Sequence, residues 1–109
     1  MALNEENRVY LQDDCYIDFE RSVFVNKNLP CALTQQEIRL LKRMNAKAGS
    51  IATYKELTDY LSDQYDSTFS QRELQIFISR LRKKIGEINT TYLLSVRGVG
   101  YVFLPDKEI

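Results

Sequence analysis

Residues 72–85, RELQIFISRLRKKI, and residues 93–103, LLSVRGVGYVF, constrain this chain more than any other stretch. At about 100° per residue, Leu74, Ile78, Leu81 and Ile85 superimpose on one side of a helix. Phe77 lies beside that stripe and is expected to seal its edge. In the second segment, Tyr92 to Val96 and Tyr101 to Leu104 flank Arg97-Gly98-Val99-Gly100, the pattern of a β-hairpin. A one-sided helix followed by a ribbon needs a core to cover its stripe. The preceding residues must supply it.

They supply helices first. Thr34-Gln35-Gln36-Glu37, Thr53-Tyr54-Lys55-Glu56 and Ser70-Gln71-Arg72-Glu73 all fit the capping box, in which a hydroxyl and a carboxylate satisfy orphan backbone donors reciprocally. Each opens an apolar-periodic segment. Leu33 and Ile38 also occupy the positions of a hydrophobic staple. The predicted helices run from Gln35 to about Lys47, from Tyr54 to about Ser62 and from Gln71 to about Ile85. The first should bury Ile38, Leu41 and Met44 and stop at Gly49; the second should bury Leu57 and Leu61; Gly86 should end the third. The connection from Asp63 to Phe69 is polar, with Phe69 expected to pack down and Tyr65 left open.

The first third alternates at period two. Val9 and Leu11, then Cys15, Ile17 and Phe19, then Val23 and Val25 are apolar, with polar residues between them. Turn-forming clusters at Gln12-Asp13-Asp14, Glu20-Arg21-Ser22 and Asn26-Lys27-Asn28 separate the runs. A fourth piece from Cys31 to Leu33, with Pro30 at its start or on an edge, completes an antiparallel meander. The two cysteines read as buried thiols in a reducing compartment, and a disulfide would need their strands to be neighbours.

The 109 residues read as one module over 1–109 with its core at about 9–104, and as α+β: a four-stranded sheet, three helices and a C-terminal hairpin. No apolar run approaches the roughly 20 residues that span a bilayer, and no signal-peptide pattern opens the chain. The expected location is therefore cytoplasmic, away from membranes. An enzyme reading finds little. There is no histidine, the cysteines at 15 and 31 lack a ligand cluster, and no phosphate-cradling glycine loop occurs. No cofactor or metal is expected.

Net charge is zero, but it is unevenly placed. Residues 1–69 hold 8 Lys/Arg against 11 Asp/Glu, and residues 70–109 hold 7 against 4. The basic excess thus falls on the helix and hairpin. Opposite the apolar stripe of the third helix lie Arg72, Ile76, Ser79, Arg80 and Lys83, with Gln75 and Arg82 flanking. Arginine can chelate guanine, glutamine can pair with adenine, and an aliphatic group can meet a thymine methyl. A bland alternative is a solvated face whose cations balance the acidic half, although such a face rarely centres on an isoleucine. Arg97 beside Gly98 and Gly100 adds a narrow cationic tip, a form suited to a minor groove. Glycines there are otherwise ordinary turn chemistry. The competing class is a protein-interaction module centred on Ile76 and Phe77.

Three motifs resemble one family: Leu33-Thr34-x-x-Glu37-x-x-Leu40-Leu41, Ile78-Ser79-Arg80-Leu81-Arg82-Lys83-Lys84-Ile85, and Val96-Arg97-Gly98-Val99-Gly100-Tyr101. In order and spacing they are similar to the effector domain of OmpR/PhoB-type response regulators across about residues 9–104. The third motif is the most specific. The resemblance implies a winged helix-turn-helix, with the third helix in the major groove and Arg97 reaching the adjacent minor groove. It places base-contacting positions at Ile76, Ser79 and Arg80, and contact with RNA polymerase at about Asp63–Phe69. It also implies two copies head to tail on direct repeats. Two positions depart from the pattern. Tyr60-Leu61 replace a common tryptophan, and Ser79 stands where arginine is frequent, predicting a different groove contact there. The 109 residues hold no phospho-accepting receiver. The expectation is the output half of a longer regulator governed by a receiver domain and sensor kinase, the alternative a stand-alone transcription factor.

Overall fold

The computed structural model describes residues 7–65, 68–85 and 92–105, without the side chains of Gln12, Gln64 and Tyr65. The strands β1 (Arg8–Gln12), β2 (Cys15–Asp18), β3 (Val23–Asn26) and β4 (Leu29–Ala32) pair in sequence order as an antiparallel meander. Their connections explain the register. Lys27 and Asn28 both have positive φ, 52° and 69°, which is the backbone of a two-residue type I′ hairpin turn. It closes the Asn26–Leu29 pair. At the β2–β3 turn, the buried Asp18 carboxylate accepts from Glu20 N–H and Arg21 N–H, both at 3.0 Å. The inward row is Val9, Ile17, Phe24 and Cys31; the outward row is Tyr10, Tyr16, Val25 and Pro30.

Two details of this sheet differ from the sequence expectation. Phe24, not Val23 or Val25, is the buried residue of β3, because the positive φ of Ser22, 57°, resets the phase of the strand. The fourth strand begins at Leu29, so Pro30 lies inside it, which an edge strand tolerates. The thiols of Cys15 and Cys31 are free, and β3 separates their strands. Cys15 is buried and Cys31 half-buried. Burial, helped by nearby Asp14, pushes the Cys15 thiol above its ordinary pKa and keeps it protonated.

The helices are α1 (Gln35–Asn45), α2 (Tyr54–Tyr65) and α3 (Gln71–Lys84). All three capping boxes form: Thr34 with Glu37, Thr53 with Glu56 and Ser70 with Glu73, each closed by two reciprocal bonds. Ile38, Leu41 and Met44 of α1, Leu57 and Leu61 of α2, and Leu74, Ile78 and Leu81 of α3 are buried, as is Ile85 just beyond. Burying each Leu or Ile contributes about 1.5–3 kcal/mol, so the α3 stripe alone fixes that helix on the core. Leu40, absent from the expected list, is also fully buried. Among the described residues, no helix is long and apolar enough to cross a membrane.

The ends of the helices differ from the sequence reading. α1 stops at Asn45 with Ala46 as its C-cap, short of the expected Lys47. Gly49, with φ of 86°, serves not as the helix stop but as a corner whose N–H donates to the Phe103 carbonyl. α2 runs one turn longer, through Asp63 to Tyr65, which shortens the expected 63–69 loop. Gly86 and the side chain of Tyr65 lie outside the described residues.

A third strand joins the C-terminal hairpin. β5 (Ile51–Thr53) pairs with β7 (Gly100–Phe103), which pairs with β6 (Leu93–Val96), giving the order β5-β7-β6. Gly98 takes φ of 78° in the turn, and Val99 N–H closes it on the Val96 carbonyl at 2.9 Å. Gly100 has a different reason. A Cβ there would overlap the Ala52 carbonyl oxygen and sit 2.8 Å from Thr53 Cα, so its glycine lets β5 approach.

Candidate nucleic-acid interface

The core stripe of α3 dictates what its other side presents. With Leu74, Ile78 and Leu81 turned inward, Arg72, Gln75, Ile76, Ser79, Arg80 and Lys83 are all exposed, Ile76 by 45%. These six fall on one outward surface, as their spacing predicted. Arg97 is exposed at the tip of the β6–β7 hairpin, beside Val99.

Arg82 is set apart from this group. It is half-buried, and its Nη2 donates to the Leu93 carbonyl at 2.8 Å and to Ser95 Oγ at 2.9 Å. Its guanidinium lies 5.9 Å from the Tyr101 ring centroid. Helical spacing placed Arg82 on the flank; the nearby hairpin strand turns it toward protein.

The ion pairs among the described residues take up part of the cationic charge. Arg8 and Arg21 pair with Asp18, Lys47 with Glu56, Lys55 with Asp59, and Lys84 with Glu37. Arg72, Arg80, Lys83 and Arg97 fall outside those pairs. Lys27, Lys42 and Arg43 of the scaffold fall outside them too, so what sets the outer face of α3 apart is the gathering of three exposed cations on one surface, a concentration of positive charge that attracts anions.

Two contacts whose partners the sequence did not show hold α3 to the scaffold. Lys84 Nζ donates to Glu37 Oε1 at 2.9 Å, and that same oxygen accepts from Thr34 N–H at 2.9 Å. The carboxylate of the first capping box therefore also anchors the far end of α3. The signal was the box itself, whose glutamate is buried rather than solvated. At the near end, Phe69 packs on Phe77 with ring centroids 6.3 Å apart, and Phe69 N–H donates to Ser62 Oγ. The departure at Tyr60-Leu61 is absorbed within the scaffold. Leu61 is fully buried, and Arg43 stacks 5.3 Å from the Tyr60 ring centroid.

The hairpin is fixed to this scaffold on its β7 side. Tyr54 N–H, at the start of α2, donates to the Val99 carbonyl at 3.0 Å. The rings of Tyr54 and Tyr101 meet edge to face at 5.7 Å. Burial raises the pKa of Tyr101, with Tyr54 adding to the shift and Arg82 opposing it, so the phenol stays neutral. A cleft of about 300 Å³ between the amino ends of α1 and α3 is lined by Phe69, Ile76, Phe77 and Arg80, with Thr34, Gln36, Glu37 and Glu73 also contributing to its lining.

A meander, three helices and a strapped hairpin, with an exposed cationic face on the third helix and an exposed arginine at the hairpin tip, define a winged helix-turn-helix domain. The family model described as "Transcriptional regulatory protein, C terminal" matches residues 28–103. The chain belongs to that family, the OmpR/PhoB-type effector domains, whose members are DNA-binding transcription regulators rather than enzymes. It is 32% identical over 95 residues to the protein PetR of Rhodobacter capsulatus, covering 82% of this chain and 40% of that one. The Thermotoga maritima response regulator DrrB, an OmpR/PhoB homolog, superposes with a TM-score of 0.74 at 26% identity, over 88% of this chain and 44% of its own. The DNA-binding domain of Klebsiella pneumoniae RstA, solved in complex with the RstA box, gives 0.70 at 25% identity, over 90% of this chain and 97% of its own. The chain spans less than half the length of the curated relatives it matches.

Proposed function

We infer that this domain binds double-stranded DNA in a sequence-specific manner, as the output domain of a bacterial two-component transcriptional regulator acting in the cytoplasm. The outer face of α3 enters the major groove, where Ile76, Ser79 and Arg80 meet base edges and Arg72, Gln75 and Lys83 flank them. Arg97 enters the adjacent minor groove. The carrying observation is the charge cluster itself: Arg72, Arg80 and Lys83 are exposed on one face of α3 and Arg97 at the hairpin tip, all outside the ion pairs among the described residues. The relative solved on its RstA box supports the same reading.

Two copies bind head to tail on a direct repeat whose half-sites lie roughly one helical turn apart. The segment from Asp63 to Phe69 contacts RNA polymerase, and a receiver domain under a sensor kinase governs the whole. A second reading, a protein-interaction module, draws on the exposure of Ile76 and on its place beside Phe69 and Phe77 in the lining of the neighbouring cleft.

Selection of binding sites from fragmented genomic DNA, followed by anisotropy titration at several salt concentrations, separates the two. An enriched direct repeat with a steep salt slope is expected, since each neutralised phosphate contributes a slope of about 0.9. No enrichment and a flat slope would establish the protein-interaction reading instead.

A further inference from the structure

The wing has an asymmetry that its sequence does not announce. In the order β5-β7-β6, strand β7 is held on both sides, by β5 and by β6. It is also tied at both ends, through Tyr54 N–H to the Val99 carbonyl and Gly49 N–H to the Phe103 carbonyl. Among the described residues, strand β6 is an edge with β7 as its one strand partner. Arg82 meets this edge from α3, and a single nitrogen, Nη2, bridges the Leu93 carbonyl and Ser95 Oγ. The side chain spans from the recognition helix to the strand that leads directly into Arg97.

Its environment fits holding better than groove contact. Nε of Arg82 is buried, with no hydrogen-bond partner among the described residues. The guanidinium also lies beside the Tyr101 ring. Leaving a buried donor unmade costs stability, and a side chain with only a loose surface role would be free to turn outward. The retained geometry indicates that the bonds to β6, together with the aromatic contact, outweigh that cost.

We propose that Arg82 is a positioning residue: it fastens the outer strand of the wing to α3 and so fixes where Arg97 stands relative to the recognition face. Arg72, Arg80 and Lys83 read the groove; Arg82 sets the distance between the two reading elements. Its part in DNA recognition rests on the function proposed above, whereas the brace itself is a property of the free protein.

Amide hydrogen exchange on the free domain tests the brace without DNA. Arg82→Ala should speed exchange in residues 93–103 by about tenfold, the scale of one lost charge-assisted hydrogen-bond set, and leave α1 unchanged. Ser95→Ala, which removes one acceptor and leaves α3 intact, should give a smaller change in the same residues. On a duplex selected by the native domain, Arg82→Ala should weaken binding with an unchanged salt slope. It should add little further loss in an Arg97→Ala background. Arg82→Lys should fail to restore affinity, because an ammonium lacks the planar fork.

Unchanged exchange in both variants, a slope reduced by about 0.9 and rescue by lysine would overturn the proposal and make Arg82 a phosphate contact. If the native domain selects no duplex, the groove reading fails, and the exchange result alone decides the brace.

Discussion

The four-stranded sheet and the three-stranded sheet are both antiparallel, but they close over very different sequence distances. In the first, each strand pairs with the next along the chain, and short turns such as Lys27-Asn28 set the register. In the second, Ile51 pairs with Val102 and Thr53 with Gly100, so β5 joins the hairpin across the whole span of α2 and α3. The first is a scaffold stabilised locally. The second is held to the helical core, with Arg82 of α3 bonded to Leu93 and Ser95 of the hairpin's outer strand. The hairpin has its own turn, but its place against α3 is set by tertiary contacts such as these.

That contrast is open to attack, most forcefully at Gly100. Gly100→Ala drives a Cβ into the Ala52 carbonyl and should cost about 3 kcal/mol in urea unfolding, at the upper end of overpacking effects. DNA affinity should fall with it, because the wing loses β5. Next in size, Arg97→Ala should weaken binding to the selected duplex by about 1–3 kcal/mol and relax A·T preference beside the core site. Its urea midpoint should stay unchanged, since Arg97 is exposed at the tip. Arg80→Ala should cost a similar amount at one base position, whereas an equal loss on all sequences would reassign it to phosphate.

In the first sheet the expected effects are smaller and of another kind. Asn28→Ala removes the short amide side chain that makes φ of 69° tolerable and should destabilise by about 1 kcal/mol, with duplex affinity retained on the folded fraction. A loss of affinity in the folded protein would show that the two sheets are not separable. The smallest effect concerns Glu56, whose pKa is lowered chiefly by the hydrogen bond from Lys47 and further by Thr53 N–H. Because its folded pKa lies below the unfolded one, its contribution is present above the ordinary carboxylate range. It is lost as pH falls through the lowered value. Glu56→Gln should therefore reduce stability at neutral pH by under about 1 kcal/mol and flatten the acid limb of a stability–pH curve.

What the sequence made legible follows the same division. The capping boxes at Thr34, Thr53 and Ser70, the buried stripe from Leu74 to Ile85 and the turns of the meander are local patterns, and each forms. The outward group of Arg72, Gln75, Ile76, Ser79, Arg80 and Lys83 follows from the same helical period. Strand β5 was not legible, because three residues are too few for alternation and its partner lies beyond two helices. The same limit hid the true reason for Gly100, the anchoring of Lys84 by Glu37 and the inward turn of Arg82. Periodicity gives the angle of a side chain around a helix. It does not say which distant strand will arrive beside it.

The most direct test of the central claim is an amide chemical-shift map of the labelled domain, titrated with its selected duplex. The largest shifts should gather at residues 72–83 of α3 and at 97–99 of the wing, leaving 8–32 of the first sheet nearly unmoved. Shifts centred on the first sheet, with α3 and the wing silent, would contradict the account.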